Sequence, residues 1–177
     1  MALSSSVEEK IIIRKAEDGD CEEIVRLIEE LAEFEKMKDQ VKITADILRK
    51  DCFGERPLCS CIVASKETDR SSLVGYCLYY PVYSTWEGAS LYLEDVYVTP
   101  SHRLRGIGRL LWQNVAQAGL DMGCSRLNLA VLGWNKNAKD WYERLGCVDL
   151  TDKEDWHLMR LDRKGMESSV HKDKELI

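Results

Sequence analysis

The chain has 177 residues, of which 45% are hydrophobic and 32% charged, and its formal net charge is −6. That length and apolar fraction suffice for one domain with its own core, without metal or disulfide staples. An acidic balance, with a pI near 5.2, argues against nucleic-acid binding, which normally shows a basic face, and suits a small cationic partner. No apolar run approaches the roughly 20 residues of a membrane span. The start MALSSSVEEK has neither the basic opening nor the apolar middle of a signal peptide, so the reading is a cytoplasmic protein with no membrane partner.

Residues 1–10 read as a flexible start, and Ile11, Ile12, Ile13 and Arg14 as a first strand, punctuated by DGD. Asp20 is the expected N-cap of a helix, with Glu23 as its capping-box partner. Ile24, Leu27, Ile28, Leu31 and Phe34 recur at three- and four-residue steps, an amphipathic pattern whose other face is acidic. Thr44 caps a second short helix that ends before Gly54. Three strands follow over 58–65, 73–83 and 89–99, separated by the loop KETDRSS and the hairpin connection STWEG, and these predict an antiparallel meander.

A helix is expected over 108–120, a strand over 125–132, a helix over 135–145, and two short closing strands over 147–150 and 156–161. Residues 163–177 read as a loose charged tail, which leaves 11–162 as the folded domain. The fold class is therefore α/β, with a mixed, mostly antiparallel central sheet flanked by helices. Cys21, Cys52, Cys59, Cys61, Cys77, Cys124 and Cys147 sit mostly inside apolar patterns with no CxxC spacing, so they read as reduced core thiols and not as metal ligands.

The segment YVTPSHRLRGIGRLLW runs from a strand through a basic turn into a helix. A helix N-terminus offers unpaired N–H groups to an anion, and Gly106 and Gly108 let a backbone come close to it. Arg103, Arg105 and Arg109 stand beside them in an otherwise acidic chain. A dinucleotide fingerprint would need GxGxxG after the first strand, and a Walker loop would need Gly-Lys followed by Ser or Thr; neither is present. On the glycines alone an ordinary strand-to-helix turn is equally acceptable.

Arg103-x-x-Gly106-x-Gly108, preceded by LYLEDVYV, resembles the acetyl-CoA motif of the GNAT superfamily of N-acetyltransferases. ELAEFEK, DQVKI, FGERP, YSTWEG, GCSRLNLAVLGWN and YERLG are similar to the spermidine/spermine acetyltransferase branch, and most of all to its thialysine Nε-acetyltransferase members, over roughly residues 11–160. The resemblance implies a homodimer that takes acetyl-CoA as cosubstrate, needs no metal, and acetylates a primary amine of a small cationic substrate. Thialysine or a lysine analogue comes first and polyamines second; a binding module without turnover is the rival from another class.

Residue by residue, the resemblance implies that the backbone of Val96, Tyr97 and Val98 pairs with the pantetheine arm. Arg103, Leu104, Arg105, Gly106, Ile107, Gly108 and Arg109 would surround the pyrophosphate, with Asn135, Lys136, Asn137 and Ala138 completing the cofactor site. Tyr142 takes the place of the general acid, also at the cofactor, and Glu94 that of the group that relays the amine's proton. Phe34, Glu35, Glu94 and Asp95 match substrate contacts. Glu94 and Asp95 are consecutive in a strand, which predicts opposite faces. Two positions depart from the branch: Leu104 stands where a glycine is usual, and Gly133 where relatives often carry an acid.

Overall fold

The structure is a computed structural model that describes residues 9–171. The chain divides into two compact units, Met1–Ala130 and Val131–Ile177. The first holds a five-stranded sheet in the order β1-β2-β3-β4-β5. Its strands are β1 (Ile11–Lys15), β2 (Ser60–Lys66), β3 (Asp69–Ser84), β4 (Gly88–Val98) and β5 (Leu127–Leu129). The first four form an antiparallel meander, and β5 joins β4 in parallel, so the sheet is mixed and mostly antiparallel.

Alternation along the strands gives each face of the sheet its own core. One cluster packs Cys21, Ile24 and Leu27 of α1 (Cys21–Phe34) and Leu48 of α2 (Ala45–Phe53) against Val63, Tyr76 and Tyr97. The other packs Ile107, Leu111 and Val115 of α3 (Ile107–Asp121) against Ile62, Cys77 and Leu93. Helices on both faces exclude water from a sheet whose central strands are apolar on both sides, which is why residues 61–65 and 73–79 read as near-continuous hydrophobic runs.

Several elements differ from the sequence expectation. The loop KETDRSS shrinks to the two-residue turn Glu67-Thr68, because β3 begins at Asp69 and pairs at once with Lys66. Asp20 does not cap α1 with its side chain. Its carboxylate accepts two bonds from the Arg14 guanidinium, at 2.6 and 2.7 Å, and one from the Glu17 N–H at 2.7 Å. Glu23 is likewise turned to Arg26 and to the Leu73 N–H, so the expected capping box does not form. A bidentate guanidinium competes well for a carboxylate, since charge-assisted bonds exceed neutral ones.

The second unit contains α4 (Lys136–Arg144), α5 (Leu150–Glu154) and α6 (Arg163–His171). The two strands expected over 147–150 and 156–161 are absent. Asp149 accepts N–H bonds from Thr151 and Asp152 and so starts a helix there. Residues 156–161 are mostly apolar but form no ladder among the described residues, and such a run yields a strand only where a partner supplies one. The tail is helical to residue 171, started by Asp162 accepting from Gly165 N–H and supported by the Arg163–Glu167 pair at 2.8 Å. Residues 1–8 of the expected flexible start and 172–177 of the tail lie outside the described residues.

Candidate active site

The site is organised by an irregularity in β4. Leu78 faces Asp95 and Tyr79 faces Leu93, so Glu94 is an extra residue with no partner of its own on β3. Such a bulge breaks the two-residue alternation. Leu91 and Leu93 before it point into the α3-side core, whereas Tyr97 after it points into the α1-side core. Consequently Glu94 and Asp95 do not take opposite faces. Glu94 Oε2 accepts from Tyr80 Oη at 2.8 Å and Asp95 Oδ2 from Tyr76 Oη at 2.8 Å, and both tyrosines belong to the same face of β3. Tyr80 is held in turn by stacking on Tyr92, with centroids 5.4 Å apart.

Asp95 and Glu35 line one cleft of about 320 Å³, bounded by the end of α1 and by residues 40–43, including Lys42 and Ile43. Burial pushes the Asp95 carboxyl up to about 6; the Tyr76 hydroxyl pulls it back, and the neighbouring Glu94 and Glu35 charges add to the rise. Burial also raises Glu35. Two carboxylates that resist ionisation in one cleft form a site that gains from a bound cation. Glu94 lies outside the cleft lining, exposed at the bulge. Phe34 is partly exposed, and its ring lies 5.5 Å from the Arg103 guanidinium.

Beyond the bulge β4 has an open edge. Its parallel pairing with β5 is confined to Leu91, Tyr92 and Leu93. Thr99 N–H bonds back to Val74 O across β3. Residues two apart offer their amide groups to the same edge, so those of Val96 and Val98 point the other way. Val98 O is taken by Arg103 Nε at 2.9 Å, and the Arg103 guanidinium is 5.5 Å from both the Phe34 and Tyr97 rings. Arg103 therefore fixes the loop's path from strand to helix.

At the loop itself Leu104 has φ 62° and Gly106, the N-cap of α3, has φ 81°. A Cβ at Gly106 would meet no atom within 4 Å, and one at Gly108 only Val98 Cγ2 at 3.9 Å, so open space stands over both glycines. Leu110 N–H is bonded to Gly106 O, and the N–H groups of the turn before it have no helical acceptor. Arg105 and Arg109 are exposed, and Arg105 lies 3.7 Å from Glu9. Leu104 occupies the left-handed region with a fully exposed side chain, so a glycine there would relieve strain of roughly 1 kcal/mol without losing packing. Leu104→Gly is expected to leave Tm unchanged or raise it by up to about 2 °C, whereas β-branched Leu104→Val should lower it by several degrees. Thermal melts of the three proteins check the opposed signs.

In the second unit, Asn135 Oδ1 accepts from Ala138 N–H at 3.3 Å and so caps α4. Lys136 pairs with Asp140 at 2.8 Å. Asn137 occupies the first turn between them, and Tyr142 lies half-buried two turns on, its ring centroid 5.0 Å from that of Trp141.

The structure thus brings Glu35 and Asp95 into one cleft, attaches Glu94 to the same sheet face, and opens the edge of Val96 and Val98. Sequence reading missed Tyr76 and Tyr80, although two tyrosines four apart in a strand necessarily share a face, and it missed Lys42, for which no local pattern gives a signal.

A model of the acetyltransferase (GNAT) family matches residues 21–147. The thialysine N-epsilon-acetyltransferases of Sus scrofa and Bos taurus are 50% and 51% identical to the chain over 161 residues, which is 88% of this chain and 95% of each relative. Spermidine/spermine N(1)-acetyltransferase-like protein 1 of Homo sapiens is 39% identical over 86% of this chain and 22% of its own length. An integron cassette protein from the V. cholerae mobile metagenome shares the fold, with a TM-score of 0.72 at 19% identity over 92% of this chain and 98% of that one. Family match and half-identical relatives over most of the length agree with the bulged, open-edged fourth strand and the glycine turn: the chain belongs to the GNAT acetyltransferase family and is an acetyl-transferring enzyme.

Proposed function

We propose that the protein transfers an acetyl group from acetyl-CoA directly to a primary amine of a small cationic substrate, with thialysine or a related lysine analogue as the first choice. The observation that carries this is the cleft in which Glu35 and Asp95 meet beside the bulge at Glu94. The names of the relatives half-identical over most of the chain support the choice of amine. The open amide groups at Val96 and Val98 suit a pantetheine arm laid along the strand edge, and the space over Gly106 and Gly108 with the N–H groups of α3 suits a pyrophosphate. Acetyl-CoA supplies an activated thioester.

The chain's own residues then do the remaining work. Asp95 and Glu35 hold the cationic amine, and Glu94, fixed by Tyr80 just outside the cleft lining, takes up through water the proton that the ammonium must lose before it can attack. An amide N–H on the free edge of β4 polarises the carbonyl oxygen. Tyr142 donates the proton to the departing thiolate, an assignment supported by its place in DWYERLG. No cysteine is paired with a histidine among the described residues, which suits direct attack over a covalent enzyme intermediate. The reading extends to a cytoplasmic homodimer on the resemblance to the branch, and sedimentation of the purified protein tests the dimer.

Polyamines are the second reading, favoured by the acidic cleft and by the 39% identical spermidine/spermine acetyltransferase-like relative. Thiol release from acetyl-CoA with thialysine, lysine and spermidine decides between them. The highest kcat/KM is expected for thialysine; a clear preference for spermidine reverses the order, and no release with any amine leaves a module that binds without turnover.

A further inference from the structure

The cleft is not uniformly acidic. Lys42 lines it together with Glu35, Asp95 and Gln40. Lys42 makes no ion pair and no side-chain hydrogen bond among the described residues, although two carboxylates line the same space. The neighbouring Lys38, by contrast, is paired with Glu33 at 3.3 Å and does not line the cleft. Lys42 is exposed, and a cation without an ion pair that lines the same cleft as two carboxylates is complementary to a ligand that carries ammonium and carboxylate groups together. It repels a ligand that carries only cations.

We propose that Lys42 binds the α-carboxylate of an amino-acid substrate and that this contact, opposite Glu35 and Asp95, selects amino-acid amines over polyamines. The inference rests on the acetylation of a small primary amine proposed above and names which of the two amine classes fits. Gln40 adds a neutral donor for the same carboxylate. Lys42 takes no part in the transfer, because the carboxylate end of the substrate is remote from the amine that reacts. Its effect is on KM and on the ratio between substrates.

The experiment compares thialysine with its decarboxylated analogue, bis(2-aminoethyl) sulfide, which differs only in lacking the carboxylate. The wild-type protein is expected to favour thialysine by about five- to tenfold in kcat/KM, the scale of a partly exposed charge-assisted contact. Lys42→Met should bring that ratio close to one, chiefly through KM for thialysine, and Lys42→Arg should largely keep it. Lys38→Met, a loss of the same charge at a neighbouring residue that does not line the cleft, should leave the ratio as in wild type. The proposal is overturned if the wild type does not distinguish the two compounds, or if Lys42→Met keeps the distinction. A wild-type protein that acetylates neither compound removes the underlying reading instead, so the two failures are separate. Circular dichroism of each variant separates a folding defect from a change in the ratio.

Discussion

Replacing Tyr142 by Phe is expected to lower kcat by about 100-fold or more, with KM for either substrate changed less than about twofold. The variant keeps the ring that lies 5.0 Å from Trp141, and so keeps the packing of α4 while removing one hydroxyl. A free phenol titrates near pH 10 and therefore holds its proton at neutral pH, ready for a leaving thiolate. The loss should shrink with an acetyl donor whose thiol is a stronger acid, since a weaker base needs less help to depart. Steady-state kinetics with the two donors checks both parts; an undiminished kcat removes Tyr142 from the acid's role.

Asp95→Asn should have two effects of opposite sign. Asp95 titrates at about 6 in the folded protein, above its ordinary value of 3.8, because burial opposes its charge and Glu94 and Glu35 repel it. In the free enzyme, kcat/KM for a cationic amine should therefore rise through an acid limb near pH 6 as the carboxylate ionises. The Asn variant should lose that limb and about 10- to 100-fold in kcat/KM at neutral pH, where a cation would lose a half-buried charged partner.

Stability runs the other way. A carboxyl whose folded pKa is raised binds its proton more tightly when folded, so the folded state loses stability as pH climbs from about 4 through about 6. Asn removes that cost, and its Oδ1 can still accept from the Tyr76 hydroxyl at 2.8 Å in the wild type. The variant should melt several degrees higher than wild type at about pH 8 and at the same temperature near pH 4. Melts at the two pH values, run beside the pH–rate profile, test the pair of signs; equal Tm values at pH 8 would show that Asp95 carries no such strain.

Much of the fold was legible because it rests on local chemistry. Ile24, Leu27 and Leu31 repeat at the helical period, Thr44 offers a hydroxyl to the Ile47 N–H, and residues 60–98 are apolar enough to be central strands. The glycine turn could be located because Gly106 takes a positive φ that few other residues accept. The second unit was legible only in part. Residues 156–161 are an apolar run that finds no partner strand, and Asp149 turns the preceding segment into a helix through bonds that depend on a single side chain.

The candidate site shows where local reading stops. Sequence alone places Glu94 and Asp95 next to one another, but period-two alternation sends them apart, and nothing in LYLEDVYV announces that β3 will skip a residue there. Glu35 and Asp95 are 60 positions apart in the chain and meet only because α1 packs on the same face of the sheet as Tyr76 and Tyr97. By itself the sequence determined the sheet-and-helix order, the glycine turn and the residues capable of acid–base chemistry, since these follow from side-chain type and spacing. The tertiary structure alone decided that both carboxylates share one face, that burial raises Asp95, and that Lys42 stands with it in the cleft. Register, burial and long-range charge depend on which strands pair and which helix covers them, and no short stretch of chain encodes that.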